Sequence, residues 1–552
     1  MLYRCEPSLE DIDAANQEIQ KHERAVSAIQ EHIATLLSDV QRLRREQQLH
    51  KEAIQRCMGV ITLARRIPEE LLSKIFEHCV QDGWTRAPIV VSHVCSAWRR
   101  AASAPRVWSH VYVNCDSPDT LGRTRFWLAM SRQAPLTVTV MAPWNPERQL
   151  AEVMDLLLLH AHRWRTLSIE TGSISRVAHL LRRVARSLPS FPLLSQIGIR
   201  TIVNFDAVHD EGVSDVGEFT DAFSSNHAPN LSTVCYISNA APLIPIFPTH
   251  IVELNLTIQE SSFPRPLSSA SLITVLEGVP ALRILTLSMP LSYEHPFVPE
   301  RDIARAITLP ALESLTLYGP TDLNEFLPHL RTPALRRLHL RSLEDLGYRQ
   351  QPIAPSLLQF LSSAHDTDDT LPALPDSDLN PDPRTAPLIE LLELHDIDLS
   401  PEAFAACFAA LPQLRELRLH ESSIRDATVR LLCAPAGLCP RLARLDLRWC
   451  GLLSGRVLVE LVRGRNVVDS SPSALPAADP ITEVAVINCC FVGEKDVLDL
   501  ATLTACRVVM RGADDYCWAR DCCVNARYRM RLRLKHLTKF SAEERLRMRL
   551  IV

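Results

Sequence analysis

The side chains with most chemistry to offer are cations late in the chain: Arg337, His339, Arg341, His395, Arg418, His420, Arg444 and Arg448, interleaved with Glu393, Glu416 and Asp446. They alternate with leucines, and in a strand such residues share one face. Arginine makes bidentate contacts with oxyanions, so an arginine-rich face suits an acidic or phosphorylated partner. A solvated face of alternating charges is the other reading, and the sequence leaves both open. Nothing comparable points to catalysis. No Gly-x-Gly-x-x-Gly or phosphate-loop run occurs in a chain of only 16 glycines. Cys517, Cys522 and Cys523 lack a second properly spaced pair, so neither a metal site nor a cofactor is expected. No cysteine is marked as a catalytic thiol, and the chain is read as a non-enzyme.

The elements that carry those cations repeat one phrase: proline, any residue, then Leu-x-x-Leu-x-Leu. It appears at Pro229–Tyr236, Pro280–Leu287, Pro310–Leu317, Pro333–Leu340, Pro387–Leu394, Pro412–Leu419 and Pro440–Leu447, with weaker relatives at Trp164–Ile169, Leu194–Ile199, Ile251–Leu256 and Ile481–Val486. The last two apolar positions alternate as in a strand, while pieces such as Phe404–Leu411 and Val457–Val462 read as helix. Each proline is expected to end an outer helix before the next strand. One strand-plus-helix unit cannot bury its apolar face alone, but a stack of them can. The pattern resembles a degenerate leucine-rich-repeat solenoid over residues 130–512. Cys450 and Cys489 hold the place where regular repeats put Asn or Cys. Insertions near 365–386, acidic and proline-rich, and near 466–480 read as disordered. Residues 513–552 read as a basic cap or tail, and their alternating Arg527–Lys535 run makes nucleic-acid contact a minor option.

At 552 residues, 47% hydrophobic and 22% charged with a formal net charge of −5, the chain has the make-up of a folded protein of several parts. That charge gives no argument for nucleic acid or membrane. The start of the chain is polar, unlike a secretory signal, and no stretch reaches about 18 apolar residues. Sixteen cysteines scattered through apolar segments suit a reducing compartment, so a cytoplasmic or nuclear location is expected.

Residues 9–62 carry a heptad pattern. One row holds Ile12, Ile19, Val26, Ile33, Val40, Gln47, Ile54 and Ile61; the second holds Ala15, His22, Ile29, Leu36, Leu43, His50 and Cys57. β-Branched residues in the first row with leucine in the second favour two parallel strands, and a polar member such as Gln47 can fix register. A homodimer through this helix and packing of the stripe on the chain's own globular part are both open.

Next comes Arg66-Ile-Pro-Glu-Glu-Leu-Leu-Ser-Lys-Ile-Phe-Glu-His-Cys-Val80, with proline and two acids placed to start a helix. Then follow Val94-Cys-Ser-Ala-Trp-Arg99 and Pro105-Arg-Val-Trp108. In this order and spacing the segment 64–113 resembles an F-box, in the form numerous in basidiomycete fungi. The resemblance implies three small helices that dock on a Skp-type adaptor. By position, Pro68, Leu71, Leu72, Ile75 and Phe76 would form one contact surface and Val94 with Cys95 the other, while Trp98 and Trp108 would hold the small unit together. Gly83-Trp-Thr-Arg-Ala-Pro88 departs from the usual proline-aspartate linker.

The fold expected is mixed α/β: a coiled-coil helix, a three-helix F-box, then a curved leucine-rich-repeat solenoid with a parallel sheet. The function expected is substrate recognition in a ligase built on a Skp-type adaptor and a cullin scaffold, with an unknown protein substrate. The competing class is an interaction scaffold that uses the repeats and the coiled coil without a ligase.

Overall fold

The prolines of the repeated phrase build turns, and Pro280 and Pro412 stand just past the ends of the helices Ser269–Glu277 and Pro401–Ala409. In Val279-Pro280-Ala281-Leu282 the Leu282 N–H donates to the Val279 carbonyl at 3.2 Å, and the same bond closes Leu309–Leu312, Thr332–Leu335, Leu411–Leu414 and Cys439–Leu442 at 3.0–3.2 Å. Each proline is thus the second residue of a β-turn, where its fixed φ is already correct and its missing N–H is not needed. The turn then feeds a strand in which both following leucines are buried: Leu315 and Leu317, Leu338 and Leu340, Leu417 and Leu419, Leu445 and Leu447.

The computed structural model describes residues 8–61, 66–142, 147–187, 190–201, 223–238, 247–258, 269–289, 306–319, 321–342, 353–363, 388–433, 437–466 and 478–509, apart from residues 173, 398, 423, 488 and 490. The insertion at 365–386, most of that at 466–480, the tail 513–552 and Cys517, Cys522 and Cys523 lie outside them. Two compact units divide the chain, Met1–Ala104 and Pro105–Val552.

In the second unit, fourteen strands form one sheet in strict chain order, from His110–Asn114 to Ala505–Val509. Every neighbouring pair is parallel. Parallel neighbours need crossover connections, and several carry a helix, as in Pro401–Ala409 and Gly455–Asn466. Along most strands fully buried residues alternate with half-exposed ones. Parallel sheets are usually covered on both faces. Here one face packs on the helices and the other stays open, the arrangement of a stacked, curved repeat protein. The sheet starts ahead of residue 130, because Val111 and Val113 in His110–Asn114 fill the buried positions without the leucine phrase.

The first unit opens with α1 (Leu9–Ile61), then α2 (Glu69–Gln81), α3 (Ala87–Ser92) and α4 (Ser96–Ala102). The mixed α/β class, the long first helix, the small helices and the large parallel sheet agree with the sequence reading. Among the described residues no helix is long and apolar enough to cross a membrane.

Candidate functional sites: a charged sheet face and an apolar helix face

All eight cations singled out in the sequence meet on the open face of four successive strands, Arg337–Ser342, Leu391–His395, Glu416–His420 and Arg444–Arg448. Registry makes rows of them. One row runs His339, Glu393, Arg418, Asp446; the next runs Arg341, His395, His420, Arg448. The rows neutralise much of their own charge. Arg418 donates to Glu416 at 2.6 Å and to Glu393 at 3.3 Å, Arg444 pairs with Glu416 at 2.8 Å, and Arg448 donates to Asp446 at 2.8 and 2.6 Å. His339 Nδ1 lies 3.2 Å from Glu393, and His395 Nε2 lies 3.4 Å from the buried Glu421.

These contacts set the protonation states. The bond from His339, with the charges of His420 and Arg418, outweighs burial and pulls the Glu393 carboxyl down to about 2. Burial opposes ionisation of Asp446, yet His420 and Arg448 hold its carboxyl well below the carboxylate range. Burial pushes His395 below the ordinary imidazole value, and Glu421 offsets that only in part. Arg337 and Arg341 differ from their neighbours. Both are exposed and, among the described residues, join no ion pair; Arg341 lies over the Tyr318 ring at 4.5 Å from its centre. Sequence reasoning missed Tyr318 and Glu421. Tyr318 sits at the matching place one strand earlier, while Glu421 follows its strand at a positive φ of 54°, which no periodicity signals.

The small helices make a different surface. Phe76 and Trp98 pack with ring centres 5.1 Å apart, and the Ser73 hydroxyl donates to the Ala101 carbonyl at 2.9 Å, tying α2 to α4. Leu72, Val80, Ala87, Val91, Ala101 and Ala102 complete a buried core. The departure at Gly83 is a well-formed helix stop. Gly83 takes a φ of 95°, its N–H donates to Val80 at 3.1 Å, and the Trp84 N–H reaches back to Cys79 at 3.0 Å. This pair of bonds satisfies the last carbonyls of α2 in the way glycine-capped helices do. Outside the core, Leu71, Ile75 and Val94 are 57, 45 and 58% exposed, and Pro68, Ile89 and Val90 are exposed with them.

Residues 64–114 match the F-box-like family.

The F-box-like match covers the three small helices and the strand His110–Asn114, and so crosses from one compact unit into the other. Among curated proteins none matches this chain. A structural-genomics crystal structure of a Bacteroides fragilis protein is similar over 69% of this chain and 76% of that one, at 12% identity and a TM-score of 0.28. A superposition that loose fixes neither fold nor function.

The F-box-like helices sort the expected adaptor residues into two groups. Pro68, Leu71, Ile75 and Val94 are exposed and Cys95 is half-buried, whereas Leu72 and Phe76 belong to the core. The reason is helical phase. Leu72, Phe76 and Val80 recur every fourth residue and take the buried face, leaving Leu71 and Ile75 one turn apart on its flank. The two tryptophans also separate. Trp98 packs in the F-box-like core, while Trp108 ends the short turn before the first strand and packs on Phe126 and Trp127 at 5.4 and 5.0 Å.

Proposed function

We propose that the chain is the substrate-recognition subunit of a ubiquitin ligase built on a Skp-type adaptor and a cullin. The observation that carries this reading is the F-box-like match together with an exposed apolar set, Leu71, Ile75 and Val94, over a separately packed core. Exposed apolar side chains clustered on one small unit mark a contact surface. In this reading the chain performs no chemistry. It holds a target lysine near a ubiquitin carrier supplied by its partners, and the gain is effective concentration. The parallel stack acts as a leucine-rich-repeat solenoid whose open face takes the protein target. Arg337 and Arg341 are its best placed contacts to an acidic group, since Arg418, Arg444 and Arg448 already serve carboxylates on the same face.

The test is co-purification of the full chain with a Skp-type adaptor and cullin, beside Leu71→Asp with Ile75→Asp. Both residues are exposed, so the variant keeps the fold. Capture by wild type and its loss in the variant is the expected result; no capture by folded wild type would sink the reading in favour of a scaffold without a ligase.

A further inference from the structure

We propose that α1 is half of a parallel, in-register two-stranded coiled coil whose other half is α1 of a second copy of this chain. The helix starts with a reciprocal cap: the Asp11 N–H donates to the Ser8 hydroxyl and the Ser8 N–H to the Asp11 carboxylate, each at 3.2 Å. It then runs 53 residues, about 80 Å at the α-helical rise. From Leu9 to Met58 every side chain except Ala53 is exposed, including Ile19, Val26, Ile29, Ile33, Leu36, Val40, Leu43 and Ile54 of the two heptad rows. Among the described residues of its own unit, nothing covers the stripe. A largely apolar seam of that length, with His22, Gln47 and His50 its polar members, is not left in water.

The flanks of the seam say what covers it. In a parallel pair each residue just before a first-row position faces the partner residue five places further on. That sets Asp39 against Arg44 of the second copy and Glu46 against its Lys51, twice each by symmetry, and Ala53 against Met58, an apolar contact. Arg42 pairs along its own helix with Asp39 at 3.2 Å and Glu46 at 3.3 Å, which holds both carboxylates on that flank. Glu18 against Glu23 is the one like-charged pair in this register. Gln47 meets Gln47, where two amides bond each other and penalise a shifted register. The helix therefore complements itself.

The seam also contains a reporter. Cys57, an exposed free thiol, stands in the second row and faces its own copy in the parallel arrangement. In an antiparallel arrangement centred on the seam the two Cys57 side chains would lie roughly 65 Å apart. The consequence for function rests on the receptor reading above: each F-box-like segment follows the same end of the rod, so one dimer would present two adaptor sites and two solenoids, and a target with two motifs would gain from linked binding.

The test uses the full chain at micromolar concentration, by sedimentation equilibrium and by mild oxidation. Expected are the mass of two chains and a covalent dimer that disappears in Cys57→Ser. Arg44→Asp should weaken association roughly threefold or more, and adding Asp39→Arg should restore it. A monomeric wild type, a dimer that gives no Cys57 cross-link, or a dimer indifferent to Ile33→Asp with Val40→Asp would each overturn the proposal. Adaptor capture by the Ile33→Asp, Val40→Asp chain is expected to persist, so failure of the dimer and failure of the receptor reading are told apart.

Discussion

At the scale of single residues, the open face is a balance between charges that hold one another and burial that resists them. His395 shows the sign of the effect. Its imidazole is pushed below the ordinary 6.5 by burial, so in the folded state it stays neutral where the unfolded chain would take a proton. The unfolded state then binds more protons, and stability falls as pH drops through about 6.5. Glu393 acts in the same direction lower down. Its carboxyl is depressed from 4.5 to about 2, so the stabilisation from its partners is present above 4.5 and is lost as pH falls towards 2. We expect the thermal midpoint of wild type to fall between pH 7.5 and 5.5 and that fall to shrink in His395→Phe; equal slopes in both proteins would refute the assignment. Two thiols show a quieter form of the same bookkeeping. Cys450 and Cys489 donate to the carbonyls of Leu419 and Leu447 at 3.3 and 3.5 Å, and the Cys489 thiol is raised well above its ordinary value by its bond to Cys450 and by burial, so it keeps the proton it donates.

At the scale of elements, the proline turn is the joint of the stack. Because Pro310 needs no N–H and brings its φ already set, its contribution comes from restricting the unfolded chain. Pro310→Ala should cost only ~0.4–1 kcal/mol with the turn bond from Leu312 to Leu309 intact, as read from the shift in urea midpoint. A loss of several kcal/mol would mean that the ring packs in a way the turn does not explain.

At the scale of the whole molecule, the sheet is a one-dimensional stack in which each strand meets only its chain neighbours. Damage should therefore stay local. Leu338→Ala removes a fully buried side chain near the middle, at a cost of about 2–5 kcal/mol. Hydrogen exchange should show lost protection in Ser314–Gly319 and Leu391–His395 but none in His110–Asn114. Uniform loss along the sheet would instead reveal a single cooperative core.

The sequence by itself determined what depends on near neighbours: the heptad rows of α1, the helix starting after Pro68, the alternation that buries Leu338 and Leu340, and the F-box-like motif. These are periodic or contiguous, and the backbone geometry of helix and strand converts them directly into faces. Tertiary structure alone decided which side of a stripe is used and which charges are spent. Leu72 and Phe76 of the expected contact set lie in the core, where α4 brings Trp98 against Phe76 of α2. Arg418 met Glu393 and Arg444 met Glu416 across strands because parallel registry set each pair side by side, the first 25 residues apart in the chain. Pairing across strands follows from the length of each connection, and nothing local to either strand records it.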